Sequence, residues 1–126
     1  MTVLAIDPGP VQSAYVLWDG RKLGDHAKID NDLIPDRVMF WTQRAVVVEQ
    51  IASYGMAVGA GVFATCWWSG RFYQQAITAQ VPTVEMLPRK DVKLHLCHSP
   101  RANDATIRQA LIDRFGGKDK AIGRKA

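Results

Sequence analysis

Short apolar runs that stop at a polar or turn-forming residue dominate the first half of the chain. Residues 2–6 are β-formers that lead into Asp7, and Pro8-Gly9-Pro10 then breaks the run. Residues 13–18 form a second apolar stretch, followed by the hairpin signal Asp19-Gly20. Residues 23–29 read as a weaker third strand, and Asp25, His26 and Lys28 place it at or near an edge. Asn31-Asp32 is expected to cap a helix over residues 33–43, with Pro35 in its first turn and Val38, Trp41 and Thr42 on one face. Residues 46–48, apolar throughout, predict a strand covered on both sides that runs into Glu49-Gln50.

The second half changes period. Val58, Val62, Cys66 and Ile77 fall at helical spacings within residues 55–80, and Gly59, Gly61 and Gly70 predict close packing or a bend near Ser69-Gly70. Residues 81–87 read as a short strand ended by Pro88. Two helices follow, over residues 89–97 and 103–115, separated by His98-Ser99-Pro100. The second turns Ile107, Ala110, Leu111 and Ile112 inward and is stopped by Gly116-Gly117.

Two of these buried strands therefore end in an acid, Asp7 and Glu49. A carboxylate at the end of an apolar strand must either cap a turn or helix or serve a site. Two of them on neighbouring strand ends form a seat for a divalent metal, since Mg²⁺ takes oxygen ligands and keeps several waters.

The length of 126 residues suits one domain with a single core, and 48% hydrophobic residues is ordinary for a globular protein. No stretch approaches the roughly 20 apolar residues of a membrane span, and no basic segment followed by an apolar one opens the chain, so a cytoplasmic protein is expected. Cys66 and Cys97 lack metal-site or redox spacing and are expected to be free thiols. His26, His95 and His98 share no spacing that would make a metal site.

The net charge of +4 is unevenly distributed. Residues 1–88 hold 6 Lys/Arg against 8 Asp/Glu, a net of −2, whereas residues 89–126 hold 10 against 4, a net of +6. A basic segment beside metal-seating acids fits a polyanion such as nucleic acid, the alternative being a solvated tail. Lys90, Lys93, Arg101, Lys118 and Lys120 are the candidates for phosphate contact.

Three meandering strands, a helix, a strand, a helix, a strand and then helices, with Ile6-Asp7-Pro8-Gly9 on the first strand and Val48-Glu49-Gln50 on the fourth, resemble the ribonuclease-H-like fold. Within it the chain resembles the RuvC-type Holliday junction resolvases, of a phage or prophage branch. The Gly-rich helix, and Val84-Glu85 followed by Arg89, Val92 and Lys93, match that family's fifth strand and basic DNA-facing helix. The resemblance implies an α/β domain with a mixed five-stranded sheet flanked by helices. It implies a Mg²⁺-dependent endonuclease, with Mn²⁺ as a substitute, that cuts four-way DNA junctions as a homodimer in a bacterial or phage-infected cell.

By the same resemblance Asp7 and Glu49 are metal ligands of the nuclease site, and Tyr54 stands where an aromatic side chain pries into the junction, packing being the other reading. The family's remaining carboxylates lie on a further helix, and the chain is expected to lack that closing acidic helix. Asp104 opens a helix, where stabilisation of the helix dipole competes with a ligand role. Trp67, Trp68, Phe72 and Tyr73 are expected in the core or a dimer interface rather than stacked on bases. Three other readings stand beside junction cleavage. A non-cleaving junction-binding protein would need no acids at strand ends. An RNA-processing nuclease of the same fold would share them. An actin-type ATPase would need hydroxyl residues after the Asp, where this chain has Pro10-Val11.

Overall fold

The computed structural model describes residues 2–40, 43–52, 55–99 and 101–117. Residues Met1–Pro88 make one compact unit and Arg89–Ala126 a second. The boundary coincides with the change from net negative to net positive charge along the chain.

The first unit is built on a five-stranded sheet in the order β3-β2-β1-β4-β5. Its strands are β1 (Val3–Asp7), β2 (Gln12–Trp18), β3 (Leu23–Asp30), β4 (Ala45–Gln50) and β5 (Thr83–Pro88). The first three form an antiparallel meander, and β4 and β5 join parallel, so the sheet is mixed as expected. The β2–β3 turn is the expected hairpin. Asp19 Oδ1 accepts the backbone N–H groups of Arg21 and Lys22 at 2.8 and 2.9 Å, and Gly20 takes a φ of 99°. The N–H groups of Lys22 and then Arg21 hold the Asp19 carboxyl below its usual range.

One face of the sheet carries the core. Leu4 and Ile6 of β1, Tyr15 of β2, and Val46 and Val48 of β4 are buried against Ile34 and Val38 of helix α1 (Ile34–Phe40) and Phe72 and Ala76 of helix α2 (Ala60–Thr78). Parallel strands require a crossover, and α1 and α2 supply the two that link β1 to β4 through the meander and β4 to β5. β5 lies at an edge, where Pro88, which has no N–H to donate, does no harm to the ladder.

Asp7 and Glu49 stand at strand ends as expected, Asp7 as the last residue of β1 and Glu49 next to last in β4. Several other expectations need correction. Asn31 does not cap a helix: it belongs to a short 3₁₀ turn, Asn31–Leu33, and its side chain reaches back to the loop after β1. Gln43 lies beyond α1, and its buried amide donates to the Val38 carbonyl at 2.8 Å. Trp41 and Thr42 fall outside the described residues.

Helix α2 starts only at Ala60 and continues through Ser69-Gly70. Its buried residues are Thr65, Ser69, Phe72 and Ala76, not Cys66 and Ile77, which are exposed. Thr65 and Ser69 can face the core because each hydroxyl donates to a carbonyl four residues back, Gly61 and Thr65, at 2.9 and 2.8 Å. Their polarity is satisfied inside the helix, so they pack as small residues.

The second unit contains α3 (Arg89–Cys97) and α4 (Asp104–Arg114) packed on each other. Asn103 caps α4, its Oδ1 accepting the Thr106 N–H at 2.9 Å. Gly116 and Gly117, at φ 79° and 122°, end it as expected. Ile107, Ala110, Leu111 and Ile112 are half-buried.

Candidate active site

The parallel register of β1 and β4 runs Val3 with Ala45, Leu4 with Val46, Ala5 with Val47 and Ile6 with Val48. Asp7 and Glu49 are the next residue on each strand. Side chains alternate along a strand, and register partners share a face. Leu4, Ile6, Val46 and Val48 point into the core, so Asp7 and Glu49 share the opposite face on neighbouring strands about 4.8 Å apart. Asp7 is exposed and Glu49 half-buried.

Across the sheet the same level is completed by Ala14 of β2, paired with Asp7, by Lys28 of β3, paired with Ala14, and by Leu87 of β5, paired with Glu49. Ala14, a small residue, stands between Lys28 and Asp7 in the register. A third acid, Glu85, shares this face but pairs with Val47, two residues back from Glu49. It is offset from the pair, and among the described residues no three His, Cys, Asp or Glu side chains gather as a metal cage.

The donor set nonetheless fits one Mg²⁺. A hard cation wants oxygen, and Mg²⁺ is usually held by one or two carboxylates with waters and substrate phosphates filling its octahedron. Asp7 and Glu49 provide two carboxylates at one register level of adjacent strands, on the face away from the core.

The turn after Asp7 is held by contacts that sequence reading missed. The Gly9 N–H donates to Ser13 Oγ at 3.1 Å, and Asn31 Nδ2 donates to the Gly9 carbonyl at 2.9 Å. The Ser13 hydroxyl donates to Asn31 Oδ1, and the Asn31 N–H donates to the Val11 carbonyl at 2.9 Å. Ser13 and Asn31 are 1% and 2% exposed, so their polar atoms are satisfied by each other and by the turn rather than by water. The only local signal was a Ser four residues after a Gly. The Asn31 contact spans 22 residues and has no sequence signature.

In the second unit Lys90 and Arg101 are exposed and Lys93 is half-buried; Lys90 and Lys93, three apart on α3, lie on neighbouring positions of one helix face. Arg89 forms an ion pair with Asp104, and the Asp104 carboxylate sits in the first turn of α4. Asp104 thus has the helix-terminal environment expected of a dipole-stabilising acid. Arg114 approaches His95 at 3.1 Å. Tyr54, Lys118 and Lys120 lie outside the described residues.

The aromatic cluster of α2 divides. Phe72 is fully buried in the core, and Trp68 packs partly against it. Trp67 is 61% exposed, meets Trp68 edge-on at 5.0 Å, and shares the Arg71 guanidinium with it, 4.8 and 4.4 Å from the two rings. Cys66 and Cys97 are free thiols as expected. No helix among the described residues is long and apolar enough to cross a membrane.

No protein-family model and no curated protein matches this sequence. Solved structures do. A Thermus thermophilus RuvC structure superposes with a TM-score of 0.72 at 21% identity, over 95% of this chain and 83% of that one. T. thermophilus RuvC in complex with Holliday junction substrate gives a TM-score of 0.70 at 19% identity, over 100% of this chain and 82% of that one. The chain therefore has the RuvC fold, a ribonuclease-H-like mixed five-stranded sheet flanked by helices.

Proposed function

We propose that this protein is a metal-dependent endonuclease that cuts branched DNA, with the four-way junction as its substrate. The observation that carries the reading is the placement of Asp7 and Glu49 side by side at the ends of the two central parallel strands, on the face away from the core. Likeness to RuvC, one structure of which holds a Holliday junction substrate, supports the substrate class.

Asp7 and Glu49 would hold Mg²⁺, or Mn²⁺ in its place, through their carboxylate oxygens. When bound, the ion lowers the pKa of a coordinated water and offsets charge on the phosphate. The chain's own residues supply the rest. The rigid turn at Pro8-Gly9 fixes the direction of Asp7, and the strand ladder fixes Glu49 beside it. Lys90, Lys93, Arg101, Lys118 and Lys120 bind phosphates of the junction arms, which positions the DNA without reading its sequence. Tyr54 enters the junction. A homodimer places two such sites on the two equivalent strands, since two-fold symmetry in the protein then matches that of the junction. The two units act together as one nuclease domain in a bacterial or phage-infected cell.

The test is incubation of the purified protein with Mg²⁺ and a four-way junction assembled from labelled synthetic strands, beside linear duplex and an RNA–DNA hybrid. Paired nicks on opposing strands of the junction are expected. Binding without cutting in Mg²⁺, or in Mn²⁺ supplied in its place, would overturn the nuclease reading in favour of a junction-binding protein, and preferential cutting of the hybrid would favour an RNA-processing nuclease.

A further inference from the structure

Resting on the nuclease reading, we infer that Ser13 and Asn31 are positioning residues for Asp7, acting as a buried clamp on Gly9. Neither side chain has a role in the chemistry proposed above, yet both are almost wholly buried beside the strand that carries the acid. Between them they take both polar groups of one peptide residue: Ser13 accepts the Gly9 N–H, and Asn31 donates to the Gly9 carbonyl.

The orientation of each group follows from what the others can do. The Gly9 carbonyl can only accept, so it must face the Asn31 amide NH₂ rather than its oxygen. Asn31 Oδ1 then faces Ser13, whose hydroxyl donates to it and keeps a lone pair for the Gly9 N–H. Each donor has one acceptor, and no member can be turned without breaking two contacts. A further bond from the Asn31 N–H to the Val11 carbonyl fixes the far side of the turn.

The clamp acts two residues from Asp7. Pro8, with its φ locked near −65°, is the sole residue between them, so few torsions remain to vary once Gly9 is held. The turn is also closed sterically, since a Cβ on Gly9 would stand 2.2 Å from the Gln12 carbonyl oxygen. A carboxylate that must meet a cation of strict octahedral geometry gains from this preorganisation.

Asn31→Asp is the sharpest variant because it keeps the shape and removes the NH₂ that meets the Gly9 carbonyl. Ser13→Ala tests the other half and serves if the first does not fold. Mn²⁺ binding to the full chain, measured by calorimetry without DNA, is the primary readout. Metal affinity is expected to fall about tenfold or more in either variant, in line with the loss of groups that orient metal ligands. Hydrogen exchange at the Gly9 amide should accelerate in Ser13→Ala, while junction binding without metal stays within about twofold, the basic segment being untouched. Val38→Ala, a core variant on α1 and on neither strand that carries an acid, controls for lost stability and should leave Mn²⁺ affinity unchanged.

Unchanged Mn²⁺ affinity in Asn31→Asp or Ser13→Ala, with only the melting temperature lowered, would overturn the inference and leave the nuclease reading standing. An equal fall in Val38→Ala would also overturn it, because the effect would then follow stability alone. Absence of Mn²⁺ binding by the unsubstituted chain would overturn the metal reading and the clamp's role together.

Discussion

Gly9 lies so near Gln12 that the Cβ it lacks would stand 2.2 Å from the Gln12 carbonyl oxygen. The contact is with backbone, which cannot swing aside as a side chain can. Gly9→Ala must therefore open the turn between β1 and β2, although Gly9 does not have a positive φ. The variant is expected to lose cleavage of a junction at saturating Mg²⁺ by tenfold or more, an order-of-magnitude figure for displacing a ligand-bearing segment. Single-turnover cleavage beside a denaturation curve separates this from unfolding, and full activity in a folded Gly9→Ala chain would show that the turn has no bearing on Asp7.

Asp7 and Glu49 share one face and one register level on adjacent strands, so their removal should not be additive if they hold the same ion. Asp7→Asn and Glu49→Gln are each expected to abolish cutting at physiological Mg²⁺, and the double variant to be no worse than either alone. Junction binding persists in all three, because the basic segment is unaltered. Cleavage losses that multiply would mean that the two acids act separately.

The strands were legible in the sequence because their apolar runs are short and bounded by Asp-Pro-Gly, Asp-Gly and Pro88. The charge step at residue 88 coincides with the border between two compact units, a border that the expectation of one domain with a single core does not draw. The face of α2 was not legible: the helical spacing was carried by Val58, Val62, Cys66 and Ile77, whereas the helix buries Thr65 and Ser69, whose hydroxyls turn back to their own backbone. Period and hydrophobicity cannot reveal that cancellation of polarity. The acids at Asp7 and Glu49 were visible because each interrupts an apolar strand. Ser13 and Asn31 were not, because their meaning lies in contacts with Gly9 that only the folded chain creates.

Phe72 and Trp67 lie on one helix but should respond oppositely to truncation. Phe72 is wholly buried among Leu4, Val46 and Val48, so Phe72→Ala should cost about 3–5 kcal/mol of folding stability through lost burial and a residual cavity. Trp67 is mostly exposed, and its contacts with Trp68 and Arg71 should be worth no more than about 1 kcal/mol. Urea denaturation of both variants checks the order. A Trp67→Ala loss matching that of Phe72→Ala would mean that the exposed face is covered in solution.

Tyr15 gives stability a dependence on alkaline pH. Burial raises its phenol above the ordinary value near 10, and its hydrogen bond to Asp25 at 2.9 Å raises it further, against an opposing contribution from Arg37. A folded-state pKa above the unfolded value means that the folded chain holds its proton more tightly. That contribution is fully present below about pH 10 and is lost as pH rises through the folded value. Tyr15→Phe should cost about 1 kcal/mol at pH 7 from the lost hydrogen bond and should flatten the decline of stability above pH 10. Parallel declines for the two chains in denaturant titrations at pH 9 to 11 would rule out Tyr15 as the source.

Lys90 and Lys93 lie three residues apart on α3, in the unit whose segment of the sequence carries a net charge of +6. If they contact phosphates, each releases condensed counterions on binding, and log affinity must fall linearly with log salt concentration. Each lost contact should reduce the magnitude of that slope by roughly 0.9 on duplex arms, so Lys90→Ala with Lys93→Ala should reduce it by about 1.8. The loss should be the same for junctions of any sequence, because phosphate contacts carry no base information. Arg89, engaged with Asp104, makes a useful contrast: Arg89→Ala frees the Asp104 carboxylate and should disturb the α3–α4 pairing as well as any binding. Fluorescence titrations of labelled junctions from 50 to 300 mM salt supply the slopes, on an ionic range set by the screening length of about 8 to 10 Å near 0.1 M. A slope unaltered in the double variant would assign Lys90 and Lys93 to solvated surface and move the DNA contacts to other cations of the segment.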